Sequence, residues 1–327
     1  MSISATQLFA ALDSQTRSRL FAHSNGKSVF LPEGSDPRIQ EAAAFLISEL
    51  GMKVVLGSEK DALRHAPQTL LLMEKKAHAK GKELSAALRS LASDVFFDAG
   101  RALEQGEVAA VVGGASVPTA HVIRAALATV GLSEQSKIVT SGFLMGLKSP
   151  TAGGQSLLLY ADGAVMPRPT SSQLSDIGYL AANAFLNWTG ITPHVAFLSF
   201  STAGSAVHEE VTRVRAACEE FKKTHPEIFA EGEVQFDAAV VPEIALRKNK
   251  LSEVKGAANV LVFPDLNAGN IGYKMTQRLA GAEAWGPVMF GAAKPFSDLS
   301  RGATGLDIAH SVLLTLALAQ VHPQSKF

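Results

Sequence analysis

A chain of 327 residues in which 30 Lys and Arg balance 30 Asp and Glu has zero formal net charge, so it offers no global basic field to a nucleic acid. Hydrophobic residues at 47% and charged residues at 18% exclude a disordered chain, and the length suits two domains or one large α/β domain. A single cysteine, Cys218, excludes an internal disulfide and a multi-cysteine metal site.

The first twenty residues carry Asp13 and scattered polar groups where a signal peptide would need an apolar run. No stretch is apolar for long enough to span a membrane, so the expectation is a soluble cytoplasmic protein without a membrane partner. VFLPEG (29–34) predicts a strand and loop, followed by a helix over 37–50, and KVVLGS (53–58) a strand and turn. AAVVGGA (109–115) predicts a strand ending in glycines, then a helix over 119–130. KIVTSGFLMGL (137–147) and QSLLLYADGAV (155–165) predict two strands around a PTAGG turn. HVAFLSFSTAGS (194–205) predicts a strand into a small-residue loop, with an amphipathic helix over 209–223. NVLVFPDLNAGN (259–270) predicts a buried strand into a polar loop, and 305–320 a buried apolar helix. Short β-rich runs alternating with helices signal an α/β fold of parallel or mixed sheets flanked by helices. The Pro/Gly-rich KSPTAGG (148–154) marks a domain boundary.

Strand-end loops line the ligand crevice in such folds. GGASVPTA (113–120) precedes a helix whose first turn offers N–H groups to a phosphate, or it is a tight turn with Thr119 as a cap. It is neither GxGxxG nor a Walker A loop. Arg124, one turn on, is an anion contact or a solvated helix charge. SFSTAGS (199–205) presents Ser201 and Thr202, either to a phosphate or simply to its own turn. DLNAGNIGYK (265–274) combines Asn267, Asn270 and Lys274. Cys218, in a charged helical stretch without a nearby His, reads as a half-buried bystander. HEEVT (208–212) has only half of a zinc-protease pattern, no GxSxG elbow is present, and no metal site is expected.

The loop FSDLSRGATGLD carries Ser300, Arg301 and Asp307. A guanidinium fork suits phosphate and a developing oxyanion, and a carboxylate can take a proton. That set fits transfer between a thiol and an acyl phosphate. It also has a plainer reading: Thr304 with Asp307 three residues on is a capping box, with Arg301 paired to Asp298 or Asp307.

Seven segments in order carry a wider resemblance: LPEGSDPRIQEAA (31–43), VGGASVPTAHVIRAAL (112–127), DGAVMPRPTSSQLSDI (162–177), FLSFSTAGSA (197–206), VQFDAAVVPEIA (234–245), FPDLNAGNIGYKMTQRLAGAEAWGP (263–287) and KPFSDLSRGATGLDI (294–308). Together the chain resembles the phosphate acetyltransferase and phosphate butyryltransferase family, and most of all the acetyltransferases within it. The resemblance implies a two-lobed α/β fold with an interdomain cleft, of the isocitrate/isopropylmalate dehydrogenase type. Residues 1–148 with 299–327 would form domain I, and 149–298 an inserted domain II that dimerises. It further implies a homodimer and reversible acyl transfer between phosphate and coenzyme A through a ternary complex. Coenzyme A would be a substrate, and no tightly bound cofactor is expected. Asp307 would deprotonate the thiol, and Arg301, helped by Ser300, would hold the acyl phosphate. Arg124 would meet a coenzyme A phosphate. Thr119, Ser201, Thr202, Asn267, Asn270 and Lys274 would add substrate contacts.

The chain departs from the family pattern at Val117 or Pro118 (usually His), His121 (Asp), Met166 (Asn), Phe290 (Gln) and Ser297 (Asn). Lys75, Lys76 and Lys80 stand near a usual Arg. A propionyl- or butyryltransferase and a non-catalytic coenzyme A-binding paralogue are the alternatives, with a dehydrogenase of the same general fold behind them.

Overall fold

The computed structural model describes residue 3 and residues 7–318. The chain begins with α1 (Ser14–Ser24), β1 (Ser28–Leu31), α2 (Pro37–Leu50), β2 (Lys53–Leu56), α3 (Glu59–His78), α4 (Ala86–Arg89), α5 (Val95–Glu104), β3 (Ala110–Gly113) and α6 (Thr119–Thr129). It continues through β4 (Thr140–Gly146), β5 (Leu157–Ala161), α7 (Ser171–Thr189), β6 (His194–Leu198), α8 (Glu209–Thr224), β7 (Phe229–Val234), α9 (Phe236–Val240), α10 (Pro242–Lys248), β8 (Val260–Val262) and α11 (Leu266–Leu279). Strand β9 (Glu283–Phe290) leads on to β10 (Phe296–Asp298) and α12 (Gly305–Leu318).

Two units emerge. Among the described residues, 3, 7–10, 17–139 and 286–318 form the first, and 11–16 and 140–285 the second. The first holds a four-stranded sheet in the order β10-β3-β1-β2, with every neighbouring pair parallel. Parallel strands need crossover connections; β1 and β3 are apolar and largely buried, whereas edge strand β2 is mostly exposed. Helix α2 shows how the sequence sets an element: Asp36 caps it through the Arg38 N–H, Pro37 fixes the first turn, and Gly51 ends it at φ 61°. Its buried residues are Ile39, Ala42, Ala43, Phe45 and Leu46, of which Ile39, Ala42, Ala43 and Leu46 form one stripe at helical spacing. Helix α12 is apolar all round and buried nearly throughout, packed on α2 and β3.

The second unit holds β7-β6-β8-β5-β4 of a six-stranded sheet, with β4 and β5 antiparallel and β5-β8-β6-β7 parallel; the sixth strand, β9, runs across the unit boundary at residues 285 and 286. Its core includes Phe143 stacked on Tyr273, with Leu158, Leu198 and Leu261.

The fold differs from the sequence expectation at three places. KSPTAGG lies inside the β4–β5 hairpin of one sheet, so the boundary falls near residue 139 instead of 148. Residues 286–298 belong to the first unit, because β10 pairs with β3. The polar stretch after β8 is helix, not loop: Asp265 caps α11 by accepting from the Ala268 N–H, and the glycines inside it serve close packing. A Cβ at Gly269 would run into the Asp162 carbonyl. The expected end of the last helix at Gln320, the tail of the expected domain I, and residues 1, 2 and 4–6 lie outside the described residues.

Candidate active site

Because the first sheet is all parallel, the loops after β1, β2, β3 and β10 emerge at its carboxyl end. From β1 the chain steps to β2 on one side and to β3 on the other, so the loops of β1 and β3 diverge at the point where ligands bind in open α/β sheets. Gly34 and Gly57 let these loops approach: a Cβ on Gly34 would come within 2.5 Å of the Gly57 carbonyl. Beside them is a cavity of about 740 Å³ lined by Glu33, Asp36, Ser58, Asp94, Ser116 and Val117, among others.

Two side chains of the β1 loop bind the other loops together. Glu33 accepts from the N–H groups of Gly114 and Ala115 (2.7 and 2.9 Å) and from the Ser116 N–H and hydroxyl (2.6 and 2.5 Å). Three successive N–H groups of this kind would suit a phosphate, but a protein carboxylate already satisfies them. The GGASVPTA turn is therefore closed on Glu33. Arg38 donates to the carbonyls of Arg301 (2.8 Å), Ala303 (3.2 Å) and Ala115 (2.9 Å). Asp36, 2.7 Å away, fixes its fork, and that hydrogen bond holds the Asp36 carboxyl below the usual range. Neither Glu33 nor Arg38 stood out in the sequence. The signal was an acid at a strand end, followed by a capping Asp and an Arg in LPEGSDPR.

The Ser300–Arg301 loop follows β10. Ser300 and Arg301 are exposed. The Ser300 Oγ accepts from the Gly302 N–H at 3.3 Å. The Arg301 guanidinium has no ion pair or hydrogen bond among the described residues and pairs with neither Asp298 nor Asp307. Asp307 forms the capping box: its Oδ2 accepts from the Thr304 N–H (2.9 Å) and hydroxyl (2.8 Å), and the Asp307 N–H returns a bond to Thr304 Oγ1 (3.2 Å). Asp307 Oδ1 has no partner among the described residues, so capping and proton transfer are compatible at this carboxylate.

Thr119 opens α6, and its hydroxyl donates to Asp298 Oδ2 at 2.6 Å. Arg124 is exposed, with no side-chain partner among the described residues, beside a shallow apolar groove of Leu88, Ile123 and Leu127. Lys76 is committed to Glu104 (2.7 Å) and the Val130 carbonyl (3.1 Å). His121 pairs with Asp94 at 3.2 Å and packs edge-on against Phe96 and Phe97. Phe290 is 3% exposed, a core side chain in this fold.

The remaining predicted residues lie in the second unit. The SFSTAGS loop wraps an internal carboxylate: Glu233 accepts from the Ser201 hydroxyl (3.1 Å), the Gly204 N–H (2.7 Å) and Arg215 (2.7 Å). Burial pushes Glu233 up, but Arg215, the Gly204 N–H and Ser201 outweigh it and hold the carboxyl below the usual range. Thr202 Oγ1 accepts from the Gln235 N–H at 2.9 Å. On α11, Asn270 donates to the Gly163 carbonyl (2.9 Å) and accepts from Lys274 (2.6 Å), while Asn267 is exposed. Cys218 is buried, more deeply than half, and its thiol is pushed up to about 12 by that burial. No cluster of metal-ligating side chains occurs among the described residues, and none of their helices is long and apolar enough to cross a membrane.

Residues 15–316 match the family described as phosphate acetyl/butaryl transferase. The chain is 38% identical over 319 residues to a phosphate acetyltransferase of Thermoanaerobacterium thermosaccharolyticum, covering 91% of this chain and 97% of that protein. A solved phosphotransacetylase from Streptococcus pyogenes superposes with a TM-score of 0.82 at 31% identity, covering 94% of this chain and 99% of that one. The EutD phosphotransacetylase from Staphylococcus aureus gives 0.79 at 30% identity, with 94% and 98% covered. A match over nearly the whole chain, in sequence and in fold, places these loops in a known setting: the chain belongs to the phosphate acetyl/butaryl transferase family.

Proposed function

We propose that this protein catalyses reversible transfer of an acetyl group between phosphate and coenzyme A, by direct attack of the thiol in a ternary complex. Asp307 Oδ1 takes the thiol proton as the sulfur attacks the acetyl carbonyl. A C–S bond forms, the C–O bond to phosphate breaks, and phosphate leaves with that electron pair. Arg301 holds the acyl phosphate and stabilises the oxyanion, and Ser300 donates a further hydrogen bond. A free thiol with a pKa near ~8.5 is mostly protonated at neutral pH, so the base and the guanidinium offset a real deficit. Stabilisation of the oxyanion is the larger of the two effects.

The observation that carries this reading is the Arg301 guanidinium, exposed at the carboxyl end of a parallel sheet with no anion paired to it among the described residues, while the neighbouring N–H donors are closed on Glu33. Arg124, whose guanidinium has no partner among the described residues and which lies beside an apolar groove, is the proposed contact for a coenzyme A phosphate. Thr119 acts at the mouth of the same strand-end loops, and Ser201, Thr202, Asn267, Asn270 and Lys274 are proposed substrate contacts of the second unit. Coenzyme A enters as a substrate, and no tightly bound cofactor is involved. A cytoplasmic homodimer completes the proposal; Ile271, Met275 and Leu279, exposed at i, i+4 and i+8 on α11, support self-association.

Arg301→Ala tests the assignment. Turnover of acetyl phosphate and coenzyme A should fall by about 100-fold or more, the loss expected for an oxyanion-stabilising group. Near-full activity would remove Arg301 from the reaction.

A further inference from the structure

Asp298 is used by none of the steps above, yet it is a deeply buried carboxyl at this end of the sheet. It closes β10, opposite Gly113 in the parallel register with β3, two residues before Ser300 and three before Arg301. Only 2% of the residue is exposed. One oxygen accepts the Thr119 hydroxyl at 2.6 Å. The other, Oδ1, is buried, and among the described residues only the adjacent Leu299 N–H is near enough to favour its charge. It faces Gly114 so closely that any Cβ there would collide with it, and Gly114 takes φ 121°, which only glycine adopts readily. A buried carboxyl with so few donors around it costs stability, so packing alone does not account for it. Glu33 and Arg38 tie backbone to backbone; Asp298 is the side chain that joins the root of the Ser300–Arg301 loop to the first residue of α6.

We propose that Asp298 is a positioning residue of the transfer reaction, setting the Ser300–Arg301 loop against the α6 entrance through its hydrogen bond from Thr119. This rests on the proposed roles of Ser300 and Arg301. The geometry demands are tight: a shift near ~1 Å in a catalytic group costs on the order of 100-fold in rate, and the 2.6 Å bond to the first residue of α6, a helix with no side-chain cap of its own, restricts that freedom.

The test uses the full-length protein with acetyl phosphate and coenzyme A, reading kcat and KM separately. Thr119→Val keeps shape and removes the hydroxyl; kcat should fall about tenfold or more with KM for both substrates changed by less than about twofold. Thr119→Ser should recover most of the lost turnover, and Asp298→Asn with Thr119→Val should be no slower than the slower single variant. A rise in KM at unchanged kcat would make Thr119 a substrate contact and overturn the inference. So would losses in the two single variants that multiply in the double, or a Thr119→Val enzyme as fast as the parent while Arg301→Ala is dead. Arg301→Ala at full activity would instead overturn the site itself.

Discussion

At the scale of single residues, the sharpest contrast is between two roles for Asp307. A cap is worth about 1 kcal/mol, whereas a 100-fold loss of turnover is about 2.7 kcal/mol of transition-state binding. Asp307→Asn should therefore lower melting only slightly while cutting turnover by about two orders of magnitude, with a smaller loss above pH ~8.5 where coenzyme A ionises unaided. A large melting loss with turnover intact would reduce Asp307 to a cap. Two buried groups also set an unusual pH balance. Burial pushes the Asp298 carboxyl from 3.8 up to about 7, despite the Thr119 hydroxyl and the Leu299 N–H, with the Glu33 charge adding to the rise and Arg301 opposing it. Between those values the folded protein keeps a proton that the unfolded chain has released, so acidification favours folding there. Burial pushes the His310 ring from 6.5 down to about 4, against the pull of Asp307. Between those values the unfolded chain takes up a proton that the folded protein refuses, so acidification favours unfolding. The two slopes oppose each other over much of pH 4 to 7. Asp298→Asn should unmask the His310 slope, so that melting falls more from pH 7 to pH 5 than in the parent; parallel melting curves for the two proteins would contradict the raised Asp298 carboxyl, and a variant whose melting does not fall over that range would contradict the lowered His310.

At the scale of elements, legibility followed the kind of signal. Helix α2 was visible from end to end because Asp36, Pro37 and Gly51 each leave a local mark. Strands β1, β3, β5 and β8 were visible as short apolar runs. Helix α11 was missed because Asn267, Gly269, Asn270 and Gly272 have poor helix propensity, and what overrides it is a close approach to the backbone after β5 that no local pattern records. Gly269→Ala should accordingly cost about 1–3 kcal/mol by overpacking, although alanine is the better helix former; urea denaturation would show it, and a stabilised variant would contradict the packing argument. The site was legible in the same uneven way. Ser300, Arg301 and Asp307 form one contiguous motif. Glu33, Arg38 and Asp298 act across long sequence separation on the loops of neighbouring strands, and a lone acid or Arg in a strand-end loop says nothing of its partner.

At the scale of the whole molecule, parallel-strand alternation identified the α/β class, while the unit boundaries depended on pairings that sequence does not print: β10 with β3, and β4 with β5. Three of the positions that depart from the family pattern are taken up by the scaffold: His121 is held by Asp94, Ser297 accepts from the Met289 N–H at 3.2 Å, and Phe290 fills core. These substitutions are absorbed into the scaffold, which argues for retained chemistry. The central claim is that this scaffold moves acetyl between phosphate and coenzyme A. The most direct measurement is thioester formation by the purified protein from coenzyme A and acetyl phosphate, followed by ultraviolet absorbance, with propionyl and butyryl phosphate in parallel. Rapid acetyl-CoA formation is expected, fastest with the acetyl donor and abolished in Arg301→Ala. A folded protein that binds coenzyme A and forms no thioester from any of the three donors would contradict it.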